Sequence, residues 1–83
     1  MKKVQLHKGV MKVHYNAPQR IIDRAIELAN QYLAGGLTPR KLSNKKGLVL
    51  DIDPDNRIVI DNTGKMNLLQ HQQYNTWITR NLK

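Results

Sequence analysis

Between Asn16 and Gly36 the apolar residues recur at one angular spacing over a longer stretch than anywhere else in the chain. Ile21, Ile22, Ala25, Leu28, Ala29 and Tyr32 follow the i, i+4, i+7, i+8, i+11 pattern of one helix face, and Ile26 and Leu33 widen it. Arg20, Asp23, Arg24, Glu27 and Gln31 fall elsewhere. Asn16 offers an N-cap oxygen, Pro18 falls in the first turn where its missing N–H costs little, and Gly35-Gly36 supply a C-cap. The segment therefore reads as a core helix whose charges nearly cancel, not as a nucleic-acid surface.

The remaining apolar residues follow strand patterns. Val4 and Leu6 are in phase, as are Met11, Val13 and Tyr15 beyond Gly9, so residues 4–15 read as one or two strands with a hairpin at Lys8-Gly9. After Leu37-Thr38-Pro39 comes the basic segment Arg40-Lys41-Leu42-Ser43-Asn44-Lys45-Lys46-Gly47, and then two strand-like runs at 48–53 and 57–61. Asp53-Pro54-Asp55-Asn56 joins those runs with Pro at the second turn position. Asn62-Thr63-Gly64 makes the next turn and 65–70 a third strand, and Tyr74, Trp77, Ile78 and Leu82 have the spacing of a short closing helix. The expected fold is α+β: a small antiparallel β-meander, one long helix packed on a face, and a short C-terminal helix, in a single domain over 1–83.

Eighty-three residues are expected to make one domain, and a chain of this size buries only about 60 to 65% of the surface its unfolded form exposes. Without cysteine there is neither a disulfide framework nor a thiolate metal site. No apolar run approaches a membrane span, so no membrane role is expected and the cytoplasm is the expected compartment. Fourteen Lys and Arg against six Asp and Glu give a formal charge of +8, which favours an anionic partner, nucleic acid or an acidic protein. Residues 1–15 hold four lysines and no acid, and Arg40, Lys41, Lys45 and Lys46 cluster in an acid-free stretch.

Four of the six acids lie between Asp51 and Asp61. Asp51, Asp53 and Asp55 match the first ligand positions of a calcium loop, but Asn56 replaces the sharp-turn Gly and Asn62 the bidentate Glu. The preferred reading is a hairpin made soluble by Asp, and neither metal nor cofactor is expected. Of the three histidines, His7 and His14 lie in the N-terminal strands, where His is usually structural, whereas His71 stands at the end of a strand, before a turn, three residues ahead of Tyr74. An imidazole there titrates in the range useful for proton transfer. Trp77 reads as a core anchor of the closing helix; Tyr74 suits an anchor or a site residue. If the basic loop folds over the same face, its cations can fix a phosphodiester and neutralise the charge that grows as a 2′-hydroxyl attacks it. The alternative is a surface that binds without cutting.

The order of helix, Lys-Leu in a basic loop, meander with Arg57 opening its second strand, and Leu68-x-x-His71-x-x-Tyr74 resembles the ParE/RelE-like toxins of bacterial toxin–antitoxin systems over roughly residues 16–78. The stretch from Ala17 to Ala25, with Gly36 and Pro39-Arg40-Lys41-Leu42, is similar to phage and prophage ParE-like variants. The resemblance implies one of two activities. RelE-like members cleave mRNA, usually on the ribosome and without metal; here His71, Tyr74 and Arg57 would be the catalytic residues and Arg40, Lys41, Lys45 and Lys46 would bind the nucleic acid. ParE-like members instead block DNA gyrase. An acidic antitoxin is the partner implied in either case. The chain departs from the RelE pattern in having one long helix where a helical hairpin is usual, and Gln72 where a basic residue often follows the His.

Overall fold

A computed structural model describes residues 2–41, 47–61 and 63–81. The elements are β1 (Lys2–Leu6), β2 (Gly9–Val13), α1 (Gln19–Leu33), β3 (Arg40–Lys41), β4 (Gly47–Asp53), β5 (Asn56–Asp61), β6 (Met66–Gln70) and α2 (His71–Asn81). The strands form one sheet in the order β1-β2-β6-β5-β4-β3. The meander β4-β5-β6 is antiparallel as expected, but the sheet as a whole is mixed, because β2 lies parallel to β6. This pairing departs from the all-antiparallel expectation for a topological reason: α1 and β3 to β5 intervene before β6 arrives, and such a crossover lets two strands run the same way.

Alternation assigns the core. Met11, Val13, Leu50, Ile58, Ile60, Met66 and Leu68 meet Ile21, Ala25, Leu28 and Ala29 of α1 in the larger cluster. Val49, Val59 and Leu69 point to the other face, where Tyr74, Trp77 and Ile78 of α2 pack on them. The consecutive buried runs Ile58-Val59-Ile60 and Leu68-Leu69 are those of central strands covered on both sides.

The start of α1 differs from the sequence expectation. The N-cap is Pro18, with extended ψ of 150°, no side chain caps the helix, and the Pro18 carbonyl accepts from the N–H groups of Ile21 and Ile22. Proline bars the preceding residue from helical backbone, so Asn16 stands too far upstream to cap. The C-terminus follows expectation: Gly35, at φ +82°, donates to Tyr32 O and Gly36 to Gln31 O, the paired bonds of a Schellman motif. His7-Lys8 turn the first hairpin, with Gly9 opening β2 at φ +134°.

At the second hairpin the Asp53 carboxylate accepts from the backbone N–H groups of Asp55 and Asn56, fixing the Pro54-Asp55 tip. A register shift follows between Asp51 and Asp53, so Asp51 rather than Ile52 faces Arg57. There is no turn between the last strand and the last helix. His71 is the first residue of α2, its N–H donating to Asp55 O at 2.6 Å, which holds the helix start against the β4–β5 turn.

Candidate functional site

Four of the residues singled out in the sequence, Arg40, Asp51, Arg57 and Tyr74, meet on the α2 side of the sheet. Arg40 is drawn in because the first residues of the basic segment form β3 and pair with β4, Arg40 opposite Val49. Asp51 is a short step along β4, and its carboxylate accepts two hydrogen bonds from Arg40, Nε to Oδ2 at 2.8 Å and Nη2 to Oδ1 at 2.9 Å. From the next strand Arg57 brings Nε to 3.4 Å of Asp51 Oδ1, an ion pair at the outer edge of hydrogen-bond distance. The guanidinium carbon of Arg57 lies 4.6 Å from the centroid of the Tyr74 ring, a cation–π contact that ties α2 to the array.

The electrostatics follow the geometry. Hydrogen bonding to Arg40 holds the Asp51 carboxyl below its ordinary range, with partial burial opposing and the charges of Arg40 and Arg57 adding to the effect. The same hydrogen bond raises Arg40. Asp51 stays ionised through the physiological range and offsets much of the positive charge that the two arginines would offer a phosphate. From sequence alone this carboxylate is a candidate metal ligand or a solubilising group. Its partner can only be found once the register shift is known.

His71 lies elsewhere. It is exposed and lines a cleft of about 550 Å³ with Tyr15, Arg20, Asn56 and Gln72, at the end of the sheet where both helices begin. The Tyr15 hydroxyl donates to the Asn56 side chain, which in turn bonds the Asp53 carboxylate. Burial, reinforced by the charge of Asp53, raises the Tyr15 hydroxyl above its ordinary value. Lys41 is exposed on the edge strand β3, and Lys45 and Lys46 lie outside the described residues. Sequence reasoning passed over Tyr15 and Arg20; the phase shared by Val13 and Tyr15 marked the former only as a strand residue.

Among the described residues no group of three His, Asp or Glu is arranged to hold a metal ion, and no helix is long and apolar enough to cross a membrane. The acids of the calcium-like segment are engaged otherwise: Asp51 by arginines, Asp53 by the turn it caps.

Fold and site together define a small cationic α+β domain whose arginine–carboxylate array lies on the sheet face that its C-terminal helix also covers. The family model of the ParE-like toxin domain matches residues 19–76, and the chain belongs to that family. It is thus a toxin domain of toxin–antitoxin systems, a class that works with an antitoxin partner. The match begins at the first residue of α1 and leaves the β1–β2 hairpin outside it. No curated protein and no solved structure matches the chain.

Proposed function

We propose that this toxin domain acts by binding and blocking a protein target, DNA gyrase being the one implied by the ParE side of the resemblance, rather than by cutting RNA. The observation that carries this reading is the Asp51 carboxylate seated between Arg40 and Arg57. A metal-independent RNase needs cations free to take up the negative charge that grows on the phosphodiester. Here an ionised carboxylate already occupies that place and would repel the phosphate. The array is better suited to a protein surface, where a fixed pattern of both signs selects a complementary partner. An acidic antitoxin segment is the inhibitor that the excess positive charge favours.

One observation favours RNA cleavage as a second reading. His71 shares its cleft with Arg20 and Tyr15, so a cation and two proton-carrying groups line one cavity. In that reading His71 is the general acid or base and the substrate is mRNA, free or on the ribosome. Two measurements separate the readings. Purified protein added to gyrase should inhibit DNA supercoiling, with Asp51→Lys weakening the inhibition at least tenfold. A map of new RNA 5′ ends after induction should then show no discrete additions. Discrete ends that vanish with His71→Ala, together with undisturbed supercoiling, would overturn the binding reading.

A further inference from the structure

Three cavities adjoin where β2 ends and β1, α1 and α2 begin. The cleft that holds His71 shares Tyr15 and Asn16 with a cavity of about 370 Å³, which in turn shares His14 with one of about 360 Å³ alongside α2. Gln72 borders both the first and the last. Together they make one groove around the end of β2. Lys2, His14 and Tyr15 precede the residues that the family model matches, so the N-terminal segment adds a wall to the matched domain.

The groove is cationic, and its cations are unengaged. Arg20 at the start of α1, Lys2 at the start of β1 and Arg80 in the last turn of α2 line one cavity each. All three are exposed, and among the described residues none forms a salt bridge. Asp55 is the acid in the lining, at the Arg20 end. The Arg40–Asp51–Arg57 array differs in this respect, because Asp51 already takes up the charge of its arginines and would repel an acidic chain. Between the cations the lining is polar: Asn16, Gln72 and Thr76 carry amides and a hydroxyl that donate to and accept from peptide groups. The two large aromatic rings are engaged, Tyr15 against the α1-side core and Trp77 against the sheet and His14, so peptide groups match this groove better than stacked bases do.

We infer that this groove seats an extended, acidic segment of a protein partner, the antitoxin of the class to which the domain belongs. Carboxylates of that segment pair with Lys2, Arg20 and Arg80, and the lining amides bond its backbone between them. From Gln72 to Arg80 the α2 wall is about 12 Å long, the span of about four extended residues. The inference rests on the acidic antitoxin proposed above and not on gyrase as the target.

The test is a titration of the full chain with fluorescein-labelled octaglutamate at low salt, where exposed charges are least screened. Anisotropy gives the affinity, and backbone amide chemical shifts of the isotope-labelled protein locate the peptide. Three forms are compared: wild type, Lys2→Gln/Arg80→Gln, and a charge-matched Lys8→Gln/Lys65→Gln, whose lysines lie at turns on the opposite end of the sheet. Arg20 stays intact because the cleavage reading also uses it. We expect the wild-type shifts to cluster at Asn16, Gln72 and Thr76. The groove variant should bind about fivefold more weakly, the loss of two exposed ion pairs, and the charge-matched variant should stay within about twofold of wild type. No binding, equal losses in the two variants, shifts centred on Arg40 and Arg57, or tighter binding of octathymidylate than of octaglutamate at the same amides would each overturn the proposal, the last in favour of nucleic acid. The shift map needs no variant, so it decides the outcome even where a substitution lowers stability. Gyrase is absent from the titration, so its result is independent of the supercoiling assay.

Discussion

Asp51 is the residue whose environment is most unlike what its neighbours in sequence imply. Because the folded protein holds its carboxyl below the ordinary range, its contribution to stability is present above the unfolded value, about pH 4, and is lost as pH falls through the folded value. We therefore expect the Asp51 carboxyl, followed by NMR, to titrate below the ordinary carboxylate range. Arg40→Gln should move that midpoint upward, because hydrogen bonding to Arg40 is the largest cause of the shift. With the Arg40 and Asp51 side chains 60% and 45% exposed, solvent screening keeps the effect on stability small. Ile58 is the contrasting case, fully buried in the α1-side core. Ile58→Ala should cost about 2–5 kcal/mol, read as a lower urea midpoint at unchanged m-value.

Among the elements, α1 is the most completely specified by its own residues. Its apolar stripe, its Pro at the start and its Gly pair at the end are all local signals, and the helix spans nearly the segment they bracket. An Asn two residues before a Pro resembles an N-cap, but Pro18 itself sets the boundary. At the other end Gly35 holds a left-handed backbone that a β-carbon disfavours. Gly35→Ala should destabilise by about 1–2 kcal/mol in a thermal melt, and Gly35→Asn by less, since Asn tolerates that conformation better. The start of α2 lacked such signals. No capping residue or turn marks His71, and its helical start depends on the bond from its N–H to Asp55 on a distant hairpin.

At the scale of the whole molecule, one sheet separates two apolar layers, and β5 contributes to both through Ile58, Val59 and Ile60. Neither layer can be lost without exposing the back of the other. We therefore expect Trp77 fluorescence, which reports the α2 side, and far-UV circular dichroism, dominated by α1, to give coincident urea transitions. A transition in fluorescence that precedes the other would show that α2 detaches from an intact sheet. The parallel contact of β2 with β6 joins residues more than fifty positions apart, and no local pattern announces such a pairing.

The sequence by itself determined the α+β class, the long helix, the β4-β5-β6 meander, the closing aromatic helix and the family, because these rest on periodicity, turn residues and short motifs read within a few positions of one another. The tertiary structure decided where the chemistry lies. A hairpin closing at Asp53 and Asn56 would, without its bulge, set Ile52 opposite Arg57; the one-residue shift brings Asp51 there instead and makes the arginine–carboxylate array. Pairing of β3 with β4 brings Arg40 to the same carboxylate, and the unbroken passage from β6 into α2 turns His71 toward a different cleft from the one its spacing to Tyr74 implied. Those outcomes depend on strand register and crossover, which are set by the packing of distant segments and leave no mark in the local order of residues.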